Sequence, residues 1–368
     1  MTLCVLIAGG GTGGHLYPGI AVARELLGRD PRTNVVFVGT AAGIEARVIP
    51  REGFELELIR SAGLKGKSAA DRLRGALLLP QSAIDAWRVI SRRRPSVVVG
   101  VGGYSSGPVV ATARLRGIPT LLMEQNAMPG LTNRALAWVV DAAAVTYEAS
   151  VQFFGSKAFM AGNPVRPEFF VDRASAQEGA HDEQASPPGA ARVLVFGGSQ
   201  GAHAINVAMV EAASRLGTAA ARLAVTHQTG ERDLGMVREG YRQAGWQARV
   251  EPFLFSMDRE MKAADLVVCR AGATTLAELT AAGRPSILIP LPTATDDHQR
   301  KNALAMVSAG AALMLEQREL TGERLADAIL TLVDRREERD RMSEAARRLA
   351  RPDAARVIAD RIVELAGK

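Results

Sequence analysis

The 368-residue chain is predicted to be an α/β protein of two Rossmann-like, doubly wound parallel-sheet domains facing each other across a cleft. Three observations predict it. The first is a glycine-rich turn that occurs twice, as Val5-Leu6-Ile7-Ala8-Gly9-Gly10-Gly11-Thr12-Gly13-Gly14-His15 and as Val193-Leu194-Val195-Phe196-Gly197-Gly198-Ser199-Gln200-Gly201-Ala202-His203. In each, an apolar run stops at glycines and gives way to a helix-like stretch, the order that turns backbone N–H groups at a helix N-terminus toward a phosphate. The second is an alternation of continuous apolar runs with helical stretches, the pattern of strands buried on both faces of a parallel sheet. The third is length, which suffices for two domains, each with its own core.

In order, the first loop is followed by a helix over Pro18 to Leu27 and a strand over Val35 to Gly39. Next come a basic helical stretch, Arg72 to Arg94, a strand over Val97 to Val101 entering Gly102-Gly103-Tyr104, and a strand over Thr120 to Met123 entering Glu124-Gln125-Asn126. The first domain closes near Gly162-Asn163-Pro164-Val165-Arg166, so residues 1–165 form one domain and 166–349 the second. Residues 172–192 are small, polar and proline-bearing, and read as a flexible exposed loop. The second domain then takes strands over Val193 to Phe196, Leu223 to Thr226, Val250 to Phe255, Leu266 to Cys269 and Ser286 to Pro290. The charged C-terminal stretch has helical period, and a helix over residues 350–368 is a candidate to pack back on the first domain.

Composition narrows the class. Hydrophobic residues make up 47% and charged residues 23%, as in a soluble globular protein. Cys4 and Cys269, each inside an apolar run, read as small buried side chains, which fits a reducing cytoplasm. The N-terminal apolar run ends in the glycine loop instead of a cleavage site, so no signal peptide is expected, and no run is long enough to span a bilayer. A net charge of +6 favours an anionic partner; with 5% aromatic residues and no recognisable nucleic-acid module, an acidic lipid surface is preferred to nucleic acid.

Gly9, Gly11 and Gly14 have the spacing of a dinucleotide-binding turn, but Gly39-Thr40 stands where that fold needs an acid for the ribose. An NTPase phosphate loop is excluded because no Gly-Lys-Ser/Thr follows the glycines. A further phosphate site is expected where Cys269-Arg270-Ala271-Gly272-Ala273-Thr274-Thr275-Leu276-Ala277-Glu278 leaves a buried strand for a helix: small residues in the first turn let a diphosphate approach the N–H groups. Glu278, one turn further, is placed to accept from two ribose hydroxyls; the competing reading makes a threonine the N-cap and Glu278 its capping-box partner.

Taken in order, Gly10-Gly11-Thr12-Gly13-Gly14-His15, Gly102-Gly103-Tyr104-Ser105-Ser106-Gly107-Pro108, Glu124-Gln125-Asn126, Gly162-Asn163-Pro164-Val165-Arg166, Gly197-Gly198-Ser199-Gln200-Gly201-Ala202 and Arg270-Ala271-Gly272-Ala273 through Glu278 closely resemble the MurG family. These are bacterial glycosyltransferases of family 28 that complete the lipid-linked peptidoglycan precursor. The resemblance covers nearly the whole chain and implies the GT-B architecture. It implies a C-terminal domain that holds UDP-N-acetylglucosamine and an N-terminal domain that holds the undecaprenyl-linked acceptor, lipid I. By the same resemblance Ser199 contacts the diphosphate, Ala273, Thr274, Thr275, Leu276 and Ala277 supply the helix N-terminus, and Glu278 holds the ribose. Leu254 lies against uracil through its backbone, Gln299 contacts the sugar, Asn126 and Arg166 reach the donor, and Thr12, Gly13 and Gly14 complete the sugar pocket. Around Thr293 to Arg300 the chain departs from some relatives, which leaves His298 as the alternative to Gln299.

The expected chemistry is an inverting single displacement in which the C4 hydroxyl of the N-acetylmuramoyl residue attacks C1 of the donor sugar, giving lipid II. No Asp-x-Asp pair occurs, so no metal or other cofactor is expected; helix N-termini and Arg166 would meet the charge of the diphosphate. His15, at the end of the first loop, is the candidate base, because imidazole changes charge near neutral pH. Tyr104 and Glu124 are acceptor-side candidates, with loop packing as the competing reading. Arg72, Arg74 and Arg88 around Leu77, Leu78 and Trp87 suit an interfacial patch on anionic lipid at the cytoplasmic face of the inner membrane, with Pro80 interrupting the helix; alternatively the apolar residues pack a crossover helix. Partners among cell-wall synthesis proteins are a further implication. The rival functions are another GT-B glycolipid glycosyltransferase and a UDP-N-acetylglucosamine epimerase.

Overall fold

A computed structural model describes residues 2–61, 78–170, 189–198 and 201–367. These fall into two compact units, Met1–Val165 with Arg351–Lys368, and Arg166–Ala350. The expected site residues Arg72, Arg74, Leu77 and Ser199 lie outside the described residues, as does the expected loop up to residue 188.

The first unit runs β1 (Cys4–Gly9), α1 (Gly13–Arg29), β2 (Asn34–Gly39), α2 (Glu45–Arg51), β3 (Glu55–Leu58), α3 (Leu79–Arg93), β4 (Val97–Gly102), α4 (Ser106–Leu115), β5 (Thr120–Glu124), α5 (Leu131–Leu136), β6 (Ala142–Val145), α6 (Val151–Phe154) and β7 (Ala158–Met160). Its seven strands are ordered β3-β2-β1-β4-β5-β6-β7, every pair parallel. Burial on both faces explains the unbroken apolar strands: Val5, Ile7, Val97 and Val99 face one core, Leu6, Ala8 and Val98 the other.

The second unit runs β8 (Ala191–Phe196), α7 (His203–Gly217), β9 (Leu223–Gln228), α8 (Leu234–Gln243), β10 (Arg249–Glu251), α9 (Met257–Ala263), β11 (Leu266–Cys269), α10 (Ala273–Ala282), β12 (Ser286–Leu288), α11 (His298–Ser308), β13 (Ala312–Met314), α12 (Gly322–Asp334) and α13 (Arg336–Leu349). Its six strands repeat the arrangement as β10-β9-β8-β11-β12-β13, again parallel. The last helix, α14 (Ala354–Ala366), belongs to the first unit. Its Ile358, Ala359, Ile362 and Leu365 enter the core with Leu16 and Ile20 of α1, and Arg29 clamps it through Asp360 at 2.7 Å and the Arg356 carbonyl at 3.0 Å.

In each sheet the strand order reverses at one place, between β1 and β4 and between β8 and β11. Loops leaving the C-terminal ends of neighbouring strands diverge there and open a crevice, where open α/β sheets bind ligands. The glycine loops and the Arg270 to Glu278 segment all leave these four strands.

Several elements differ from expectation. Helix α1 starts at Gly13, five residues before Pro18, which sits inside it and removes only its own ladder bond. Pro80 does not interrupt a helix: α3 begins at Leu79 with Pro80 in its first turn, where its missing N–H has no ladder partner to lose. The strand expected from Val250 to Phe255 stops at Glu251, since Pro252 cannot donate to the ladder. Ala191 and Arg192, assigned to the flexible loop, begin β8.

Candidate active site

In the first unit, three segments lock together at the switch point. Gly11 has φ +85° and Gly103 φ +84°, conformations that suit glycine. A Cβ on Gly103 would lie 2.4 Å from the Gly10 carbonyl oxygen, and one on Gly11 would lie 2.9 Å from Cε1 of Tyr104. The loops after β1 and β4 therefore approach to backbone contact, with the Tyr104 ring resting on Gly11. Beneath them Glu45 of α2, 1% exposed, accepts from the Gly11 N–H at 2.9 Å and from the N–H and hydroxyl of Thr40 at 2.9 and 3.0 Å.

Thr12 is the N-cap of α1, but its hydroxyl makes no cap bond; it meets Nδ1 of His15 at 3.2 Å. His15 packs over Gly102, where a Cβ would lie 2.8 Å from its Cδ2 and 3.1 Å from its Nε2. An imidazole whose Nδ1–H donates to the Thr12 hydroxyl carries its lone pair on Nε2, the arrangement a base requires. Thr12, Gly13, Gly14, His15 and Tyr104 are thus brought together in one loop cluster. Glu124 has the loop-packing place. Only 2% exposed, it accepts from the N–H of Asn126 at 2.9 Å, the N–H of Gly130 at 3.1 Å and the Asn133 amide at 2.9 Å. Burial pushes its carboxyl up, against the lowering by these donors, and its bonds brace the Asn126 loop.

In the second unit the loop after β8 comes against the end of β9. Gly201 has φ +75°, and a Cβ there would fall 1.9 Å from the Thr229 carbonyl oxygen. Gln228, the last residue of β9 and 1% exposed, donates to the Gly198 carbonyl at 3.0 Å and accepts from the Leu254 N–H at 2.8 Å. Across the switch point, α10 is capped by Gly272, not by a threonine, and the cap residue supplies no side-chain bond. Its backbone ladder opens with Leu276 N–H to the Gly272 carbonyl at 3.0 Å, so the N–H groups of Ala273, Thr274 and Thr275 precede the ladder and point along the helix axis. Glu278 therefore is not a capping-box partner. Its Oε1 stands 4.0 Å from Nη2 of Arg166, whose guanidinium lies 5.2 Å over the Phe169 ring. Burial pushes the Glu278 carboxyl up to about 7, opposed by the Arg166 charge and assisted by the Asp258 carboxylate.

Gln299, second residue of α11, has its Oε1 on the Leu291 N–H at 3.0 Å; Asp296 and Asp297 before it both have φ 55°. Leu254 is buried at 4%, flanked by the exposed, edge-on pair Phe253 and Phe255. On α3, Trp87 is 52% exposed beside Ile84 at 51% and Leu79 at 44%, the Arg88 side chain is exposed, and the Arg116 guanidinium lies 4.7 Å over the Trp87 ring; Leu78 is half-buried. Glu45 and Gln228 carry no motif in the sequence. Gln228 comes two residues after the apolar run Leu223 to Thr226, and that position beyond a strand is the one signal the sequence offers for it.

Residues 5–145 match the glycosyltransferase family 28 N-terminal domain and residues 192–358 the family 28 C-terminal domain. A UDP-N-acetylglucosamine–N-acetylmuramyl-(pentapeptide) pyrophosphoryl-undecaprenol N-acetylglucosamine transferase of Anaeromyxobacter sp. (strain K) is 51% identical over 362 residues, 98% of this chain and 92% of that protein. One of the same description from Myxococcus xanthus (strain DK1622) is 50% identical over 98% of this chain and 92% of its own. Among solved structures, Acinetobacter baumannii MurG aligns with TM-score 0.79 and 30% identity over 98% of this chain and 99% of that one. A Neisseria meningitidis UDP-GlcNAc 2-epimerase bound to UDP-GlcNAc aligns with TM-score 0.68 over 99% and 100% of the two chains, but at 12% identity it shares the fold alone. With two GT-B sheets and these likenesses along nearly its whole length, the chain belongs to glycosyltransferase family 28, in the MurG family.

Proposed function

We propose that the protein transfers N-acetylglucosamine from UDP-N-acetylglucosamine to the C4 hydroxyl of the N-acetylmuramoyl residue of undecaprenyl-diphosphate-linked muramoyl pentapeptide, converting lipid I to lipid II with inversion. The observation that carries the reading is the N-terminus of α10: capped by a glycine and followed in its second turn by Glu278 beside Arg166, it sits in a chain half identical to transferases of that description. N–H groups of Ala273, Thr274 and Thr275 take the diphosphate, Glu278 the ribose hydroxyls, Leu254 the uracil and Gln299 the sugar. Ser199, Leu276, Ala277, Asn126, Thr12, Gly13 and Gly14 complete the donor contacts.

The C4 oxygen attacks C1 as the C1–oxygen bond to the diphosphate breaks. Its proton passes to Nε2 of His15, and UDP departs with its charge met by the α10 N-terminus and Arg166. A placed base is worth about 10²–10⁴ in rate. Because these groups supply the charge stabilisation, the reaction needs no metal. Tyr104 lies on the acceptor side. No described helix is long and apolar enough to cross a membrane, and access to the polyprenyl acceptor comes from peripheral contact at the cytoplasmic face of the cell membrane through Leu79, Ile84, Trp87 and Arg88.

Radiolabelled UDP-N-acetylglucosamine supplied with the lipid-linked muramoyl pentapeptide tests this. Label is expected in the lipid fraction, with and without chelator. Label that stays in the aqueous fraction, or conversion of the donor to its C2 epimer without acceptor, would overturn the reading.

A further inference from the structure

The buried carboxamide of Gln228 touches two segments that the proposed function assigns to opposite ends of one ligand. Its Nε2 donates to the carbonyl of Gly198 in the second glycine loop at 3.0 Å, and its Oε1 accepts from the N–H of Leu254 at 2.8 Å. The two partners also fix the orientation of the amide, since a carbonyl can only accept and an N–H can only donate. Gly198 lies in the loop toward which a diphosphate would lean, and Leu254 in the segment after β10 against which the base would lie. The Gly198 carbonyl also accepts from the Gly201 N–H at 3.0 Å, so one carbonyl takes both donors. The neighbouring Thr229–Gly230 backbone also spans the two segments, with the Gly230 N–H donating to the Pro252 carbonyl at 3.1 Å, but Gln228, 1% exposed, bonds both through one side chain, and hydrogen bonds of a buried carboxamide are costly to lose.

We propose that Gln228 is a positioning residue that sets the distance between the nucleobase segment and the diphosphate loop, so that base and diphosphate of one uridine diphosphate engage together. The inference rests on the donor-site reading above. A nucleoside diphosphate is a bivalent ligand: its two ends gain from being linked only if the two subsites stand at the matching separation. Loss of the bridge weakens the linked ligand more than either end alone.

The test is binding of UDP, uridine and inorganic diphosphate to the full chain, by calorimetry for UDP and by competition for the other two, with Gln228→Leu and Gln228→Glu. The leucine removes both bonds at similar volume. Glutamate keeps the acceptor for Leu254 but sets a carboxylate against the Gly198 carbonyl; protonated, it regains a donor. Expected is a fall of at least about tenfold in UDP affinity for Gln228→Leu, with uridine and diphosphate each changed less than about threefold. KM for the donor should rise in step while kcat at saturating donor stays within about threefold. For Gln228→Glu, UDP affinity relative to the parent at the same pH should recover as pH falls. Losses equal for UDP and its fragments, no loss for UDP, or a fall in kcat at unchanged KM would overturn the proposal, and if Gln228→Leu fails to fold, an absence of pH recovery in Gln228→Glu would do so. A parent protein that binds no UDP would instead bring down the donor-site reading itself.

Discussion

Glu45 holds Gly11: a carboxylate from α2, wholly buried, accepts the backbone N–H of the first glycine loop at 2.9 Å while its other oxygen is bonded to Thr40 at the end of β2. The space around that side chain exists because Gly10, Gly39 and Gly43 lack side chains; a Cβ on Gly10 or Gly43 would lie 2.3 or 2.2 Å from the carboxylate carbon, and one on Gly39 2.3 Å from Cγ of Glu45. Replacement by Ala strips acceptors from three donors and leaves a cavity. Glu45→Ala is therefore expected to lower stability by about 2–4 kcal/mol, seen as a lower urea midpoint. Glu45→Gln, which turns an N–H₂ toward one of these donors, should cost about 1–3 kcal/mol. In both, turnover should fall more than UDP affinity, since the loop that carries Thr12 to His15 is the part released.

Gly102 gives His15 its place. An alanine there would press its Cβ to 2.8 Å from the imidazole and would be strained at φ +98°. Gly102→Ala is expected to reduce kcat about 10²-fold, the cost of a displacement of roughly 1 Å at a reacting group, with UDP affinity retained. His15→Ala should lose about 10²–10⁴-fold in kcat. If pH–rate profiles of Gly102→Ala and the parent superimpose in both shape and height, His15 is not the base.

On the donor-site reading proposed above, Glu278 should make donor binding depend on pH near neutrality. Its carboxyl, raised to about 7 by burial, is half neutral there and becomes a full acceptor for two hydroxyls only when ionised. UDP affinity should rise with pH across 6–8, and Glu278→Gln should flatten that rise. The stability effect has the opposite sign. With a folded pKa above the unfolded value, the native state binds the proton more tightly, so this contribution is present at pH below about 4.5 and is lost as pH rises to about 7. The Gln variant, having no charge to bury, should gain stability relative to the parent as pH rises through that window, measured by thermal melts at matched ionic strength.

Trp87 and Ile84 expose their rings and branches on α3 beside Arg88. Ile84→Ser with Trp87→Ser should reduce binding to vesicles containing anionic lipid by about tenfold or more, because burial of each large apolar side chain is worth about 1.5–3 kcal/mol. Turnover of a water-soluble acceptor analogue should be retained. Equal losses in both assays would return these residues to a purely structural role.

The sequence by itself determined the two-sheet α/β architecture and the places where glycine loops leave its strands. Unbroken apolar runs such as Val97 to Val101 demand burial on both faces, and glycines that follow them leave backbone N–H groups as the main chemistry on offer. Strands without that signature escaped: β6 is Ala142–Val145, mostly alanine, and β3 is Glu55–Leu58, an edge strand with alternating acids. Only the tertiary structure decided the partners. Nothing local ties Glu45 to Gly11, Gly102 to His15, Gln228 to both Gly198 and Leu254, or Glu278 to Arg166. The first three are joined by neighbouring strands or loops leaving the same end of a sheet, and the last by the packing of the Pro167–Phe170 turn against α10; strand order itself arises from the packing of all the crossovers together.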